Sequence, residues 1–168
     1  MPRISKIDLQ TAPIEVKEAV NEHVKQGYQI TNEKLTLLHN VTAFRALEVQ
    51  SYELDRELQR LIGKRAADFY EYAISLENDC IVCSTYFKKL LEENGVSDFE
   101  NFDFTDREKL LIAYGRAIVD DHRNISDELF EQLREEFNEE EIVVITTMGL
   151  FMIANNYFND ILQVEPGM

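Results

Sequence analysis

The stretch from Lys64 to Gly95, KRAADFYEYAISLENDCIVCSTYFKKLLEENG, decides the fold. Ala66, Ala67, Phe69, Tyr70 and Ala73 predict a helix over about Lys64 to Leu76. Asn78 and Asp79 read as a helix cap just before Cys80, since short polar side chains can accept the free N–H groups of a first turn. The next helix then runs through Tyr86, Phe87, Leu90 and Leu91 to Gly95, a residue favoured at helix ends. Two helices in close succession, with two cysteines at the break, set the pattern for the rest of the chain.

The same signals recur on both sides. Thr11 with Pro13 opens a segment that Gly27 closes. Thr31 caps a second helix, in which Leu35, Leu38, Thr42, Leu47 and Leu54 recur at helical spacing as far as Gly63. Downstream, Val96 to Phe104 reads as a loop anchored by Phe99, Phe102 and Phe104. Thr105-Asp106-Arg107-Glu108 is a capping box. Behind it Leu110, Leu111, Tyr114, Ile118 and Val119 form an apolar stripe. Ser126 and Asp127 start a short helix ending near Phe137. Asn138 with Glu139, Glu140 and Glu141 caps the last and most apolar helix, which ends near Leu162. The expected fold class is all-α, a bundle of about seven helices that forms oligomers. Residues 1–30 form an N-terminal helical extension and residues 31–168 a single helical domain.

Charge narrows the function. The chain has 168 residues, with 17 Lys and Arg against 32 Asp and Glu, a net charge of −15. Such a surface repels phosphate backbones and anionic bilayers, so neither nucleic acid nor membrane is an expected partner. No apolar h-region follows Met1, and the longest apolar-rich run, Ile142 to Ala154, is the length of a core helix. A cytoplasmic location is expected. The last helix is apolar around nearly its whole circumference, which predicts burial on all sides and favours a homo-oligomer.

Cys80 and Cys83 are the whole cysteine inventory. Two cysteines placed at random would stand three apart roughly once in eighty arrangements, so the spacing carries information. In the first turn of a helix the pair can close a small disulfide ring. The free N–H groups and positive dipole end there favour a thiolate, the species that attacks peroxides and disulfides. That argument makes Cys80 the more acidic thiol. Asp68 and Glu71, on the preceding helix, are candidate proton acceptors. The bland alternatives are two inert buried thiols and solvated carboxylates. Structural zinc needs four ligands, and the three histidines stand far off in sequence. His23 is expected on an exposed charged face, His39 partly buried, and His122 in an exposed turn. No phosphate loop, His-Glu-x-x-His or serine nucleophile elbow is present, and no metal or organic cofactor is expected.

The pattern Arg65-Ala-Ala-Asp68, then Asn78-Asp79-Cys80-x-x-Cys83, resembles the core of AhpD-like proteins, the carboxymuconolactone decarboxylase-like superfamily. Thr105 to Tyr114, Ser126-Asp127-Glu128, Glu140 to Val143 and Ala154 to Asn159 resemble its peroxidase-related branch. The resemblance spans about Leu35 to Pro166. It implies an all-helical fold assembled as dimers, trimers or hexamers, and reduction of alkyl hydroperoxides through the cysteine pair. It also implies that Cys83 attacks the peroxide, that Cys80 closes the disulfide, and that a protein dithiol reduces it again. The family's relay Glu corresponds to Asp68, one methylene shorter, and its relay His to Phe87. These two departures support an alternative, a catalytically degenerate member acting as an oligomeric binding or redox-sensing module, to which the aromatic segment Phe99–Phe104 would contribute. Decarboxylation of a lactone acid is disfavoured, because no local Arg cluster could receive the anion.

Overall fold

The computed structural model describes residues 1–167. Among them are helices α1 (Ile14–Lys25), α2 (Asn32–Leu37), α3 (Val41–Phe44), α4 (Gln50–Ile62), α5 (Lys64–Glu77), α6 (Ile81–Glu93), α7 (Asp106–Asp121), α8 (Asp127–Glu136) and α9 (Glu139–Leu162). A π-helical turn, Arg45–Val49, joins α3 to α4. The chain therefore runs as eight helical rods, with no strand among the described residues. The expected fold class holds.

Capping explains most of the boundaries. Thr105 and Glu108 make the expected capping box at α7. Asn138 and Glu141 make a second one at α9. The helix expected from Thr31 to Gly63 is split instead. Asn40 is extended, and its side chain accepts the Ala43 N–H at 2.9 Å, so a new helix starts at Val41. Leucine spacing could not reveal that break, because apolar residues on both sides of a tight turn serve the same core.

Helix α5 lies at the centre and packs against α4, α6, α7 and α9. Its residues Ala66 to Ser75 are all buried. Tyr70 is wholly buried and donates to the Ile145 carbonyl of α9 at 2.9 Å. Two glycines make room for its ring. A Cβ at Gly115 of α7 would stand 3.0 Å from Tyr70 Cε2, and one at Gly149 of α9 would collide with Tyr70 Oη. The three helices can approach this closely because both neighbours present backbone there.

Phe99, Phe102 and Phe104 pack around Phe69, with Phe69–Phe104 centroids 5.0 Å apart. The guanidinium of Arg65 lies 5.2 Å from the Phe102 centroid. This loop closes one side of α5 and is part of the core.

Helices α1 to α3 build a satellite core from Val16, Ala19, Leu37, Leu38, Val41 and Phe44, against which Phe158 of α9 packs. The two ends of the chain are joined there: Arg3 N–H donates to Leu162 O and Asn32 N–H to Gly167 O. His23 faces this core at 1% exposure, which corrects the expected exposed face. Burial turns on one rotation of α1, whose charged sequence hides the stripe of Val16, Ala19 and His23. His39, expected to be partly buried, is exposed and hydrogen-bonded to Ser5 O at 2.7 Å.

By length and composition alone, α9 could cross a bilayer, with a mean hydropathy of 1.3 over 18 residues. It packs instead against α4, α5, α6, α7 and α8. Its expected burial on all sides does not hold within one chain. Val143, Thr147, Leu150, Ala154, Tyr157 and Ile161 remain exposed, in a 4-3-4-3-4 spacing.

Candidate functional site

The break between α5 and α6 creates the cysteine site. Asn78 ends α5 rather than capping α6, and Asp79 turns into the left-handed region at φ 54°, a conformation Asp tolerates better than most residues. Cys80 itself is the N-cap of α6. Its sulfur accepts the Cys83 N–H at 3.4 Å, the place a Ser or Asp oxygen would take. Its own N–H donates to Ser75 O at 3.1 Å, which holds the turn against the end of α5. Both thiols are free and buried.

Their environments differ. Cys80 is 0% exposed, whereas Cys83 lines a cavity of about 460 Å³. Asn159 of α9 donates from Nδ2 to Cys83 Sγ at 3.3 Å. The Cys83 thiol hydrogen-bonds to Cys80, and that bond lowers the Cys80 pKa, aided by the backbone N–H and opposed by burial. The same pairing pushes the Cys83 pKa well up, with burial and the Glu33 charge adding to the rise. The helix-terminus argument for Cys80 as the more acidic thiol agrees with this geometry. The sulfur open to the cavity is nevertheless the other one.

Around Cys83 the wall is apolar and aromatic, with Tyr86, Phe87, Met148, Phe151 and Met152. Phe87 is 8% exposed and belongs to the main core. Asp68 and Glu71 also line the cavity. Both Asp68 oxygens are held by Lys64 Nζ, at 3.0 and 2.7 Å. Burial still raises the Asp68 pKa, with Lys64 pulling it back. Glu71 is fully enclosed, and burial, followed by the charges of Asp55 and Asp68, raises its pKa well above the usual range.

Glu33, Lys34, Glu48 and His23 in the wall come from the N-terminal half and were not singled out in the sequence as site residues. Lys34 Nζ lies 3.1 Å from Glu33 Oε2 and 2.9 Å from Glu48 Oε1. Glu48 sits on the π-helical turn, a local irregularity often found at functional sites. His23 also lines the cavity, with Tyr52 hydroxyl on Nδ1 and Gln29 O on Nε2 at 3.0 Å. The Gln29 carbonyl requires a proton on Nε2, so Tyr52 donates to Nδ1. Burial lowers the His23 pKa and keeps the ring neutral. A charged dipeptide such as Glu33-Lys34 looks like surface in any sequence. Only the fold shows that α2 turns it inward.

His39 and His122 are exposed and do not line this cavity. Among the described residues, no group of three His, Cys, Asp or Glu side chains is arranged to hold a metal ion.

The fold is shared with a protein known from its crystal structure, an uncharacterized peroxidase-related protein from Silicibacter sp. TM1040. The superposition has a TM-score of 0.74, covers 96% of this chain and 91% of that one, and aligns residues at 16% identity. The class so defined is an all-α helical fold, shared at low identity with that peroxidase-related protein. No family model matches the sequence, and no curated protein matches it.

Proposed function

We propose that this protein is a thiol oxidoreductase that works through Cys80 and Cys83, with alkyl hydroperoxides as its substrate class. The observation that carries the reading is the position of Cys83. Its thiol lies on the wall of a largely apolar cavity, and a sealed second thiol stands one helical turn away. The Cys83 sulfur attacks the terminal peroxide oxygen, the O–O bond breaks, and an alcohol leaves. Cys80 then attacks the sulfenic sulfur, water leaves, and a disulfide forms. Access decides the first attacker and thiolate character suits Cys80 to the second step. A protein dithiol restores the pair, and a reducing cytoplasmic setting suits that cycle.

The test counts thiols on reduced protein before and after brief exposure to cumene hydroperoxide. Two thiols should be lost as an intramolecular disulfide that dithiothreitol reverses. Cys80→Ser should leave a sulfenic acid on Cys83 that dimedone traps. Two unchanged thiols would overturn the reading. They would favour a catalytically degenerate binding or redox-sensing module, which Phe87 and the Lys64-bound Asp68 support.

The exposed stripe on α9 supports a homo-oligomer. A 4-3 apolar repeat is the seam a second helix packs into, and we assign that place to a second copy of the chain.

A further inference from the structure

Resting on the thiol reading, we infer that the Glu33 carboxyl is the proton-transfer partner of Cys83, taking the thiol proton as the sulfur attacks and returning it to the departing alkoxide. Four observations point there. Glu33 lines the same cavity as Cys83. It is more than nine-tenths buried, and its Oε1 has no hydrogen-bond partner while Oε2 is held by Lys34. The Asn159 side chain that donates to Cys83 Sγ also lies near enough to the Glu33 carboxyl to lower its pKa. And Glu33 is the carboxylate whose charge bears most on the Cys83 thiol.

The competing acids lack one or more of these properties. Both Asp68 oxygens are occupied by Lys64. Glu71 lies under the charges of Asp55, Asp68 and Lys64. Glu48 Oε1 likewise has no hydrogen-bond partner, but Lys34 Nζ stands 2.9 Å from it as an ion pair. A buried carboxylate oxygen without a hydrogen-bond partner is unusual, since such burial costs free energy. Burial and the neighbouring Glu48 raise the Glu33 pKa, while Lys34 lowers it. His23 of α1, Lys34 of α2 and Asn159 of α9 complete its surroundings, and Cys80 of α6 stands behind Cys83.

The proton count closes. Cys83–SH gives its proton to the Glu33 carboxylate, and the sulfur takes the terminal oxygen of the hydroperoxide. The alkoxide takes the proton from Glu33, leaving Cys83 as sulfenic acid and Glu33 as it began. The Cys80 thiolate then displaces hydroxide, which leaves as water with a solvent proton, the one Cys80 released on ionising.

The experiment uses the full chain with Glu33→Gln, which keeps the shape and removes the proton transfer. Oxidation of Cys83 by cumene hydroperoxide at pH 7 should slow by about 100-fold or more. Thiolate absorbance at 240 nm, read in a Cys80→Ser background, should instead appear at lower pH, because a negative charge beside the thiol is gone. A slower reaction of a more available thiolate separates proton transfer from a merely structural role. Glu33→Asp should restore part of the rate and guards against misfolding of the amide variant. An unchanged rate in Glu33→Gln, or a loss carried by Glu71→Gln in its place, would overturn the assignment. If the unaltered protein is inert to the peroxide, the functional reading fails by itself. The titration then judges Glu33, and an unshifted Cys83 curve overturns its coupling to the thiol.

Discussion

Replacing Gly149 by Ala should destabilise the protein, although the change favours an isolated helix. Ala is better than Gly inside a helix by about 1 kcal/mol. Against that, the new methyl would fall on the hydroxyl of Tyr70, a side chain with 0% exposure held between α7 and α9. Overpacking of such a site costs about 1–3 kcal/mol. Moving the ring away also strands a buried hydroxyl that now donates to Ile145 O, a further loss of about 1–3 kcal/mol. The net effect is a destabilisation of about 1–5 kcal/mol, centred near 3. For a chain of this size that lowers the melting temperature by roughly 5–10 °C, read by circular dichroism at 222 nm. The double variant Tyr70→Phe/Gly149→Ala tests the cause, because the methyl then fills the space of the missing hydroxyl. It should be no less stable than Tyr70→Phe alone, a strong departure from additivity. A melting temperature that rises in Gly149→Ala would refute the close approach of α5 and α9. That approach matters beyond stability, since α9 carries the Asn159 amide onto Cys83.

Two further outcomes are expected. Glu71 has a raised pKa in the folded protein, so its contribution to stability is lost as pH rises from the ordinary carboxylate value of 4.5 through the raised one. Glu71→Gln should therefore raise the melting temperature at pH 8, with the gain shrinking toward pH 5, and a pH-independent difference would contradict the burial. On α9, Leu150 is 56% exposed at the middle of the 4-3 stripe. Leu150→Glu should leave folding intact and sediment as a single chain at micromolar concentration where the unaltered protein is larger; an unaltered protein that is already monomeric would remove the case for a second copy.

Some of the site was legible before the fold was known, and the reason is locality. Cys80 and Cys83 stand three residues apart at a helix start, so their mutual hydrogen bond follows from one turn of backbone. Asp68 lies two turns before the end of the same helix-break unit and reaches the cavity wall as its position suggested. Asn159 and Glu33 were not legible in the same way. They lie 76 residues after and some fifty before Cys83, on α9 and α2, and nothing local marks them. His23 shows the same limit from the other side. Its neighbours are charged, and only the satellite core selects the face of α1 that is buried.

The sequence by itself determined the helical class, the capping box at Thr105, the cap at Asn138, the acidic surface and the paired thiols at a helix start. Each depends on contacts within a few residues, where spacing and side-chain chemistry leave little choice. The tertiary structure decided which sulfur meets the cavity and which is sealed. It also decided that Lys64 occupies Asp68, and that Glu33 is left with a free oxygen beside Cys83. Those outcomes depend on how α2, α5, α6 and α9 pack around one cavity, where burial removes water from some polar groups and hydrogen bonds claim others.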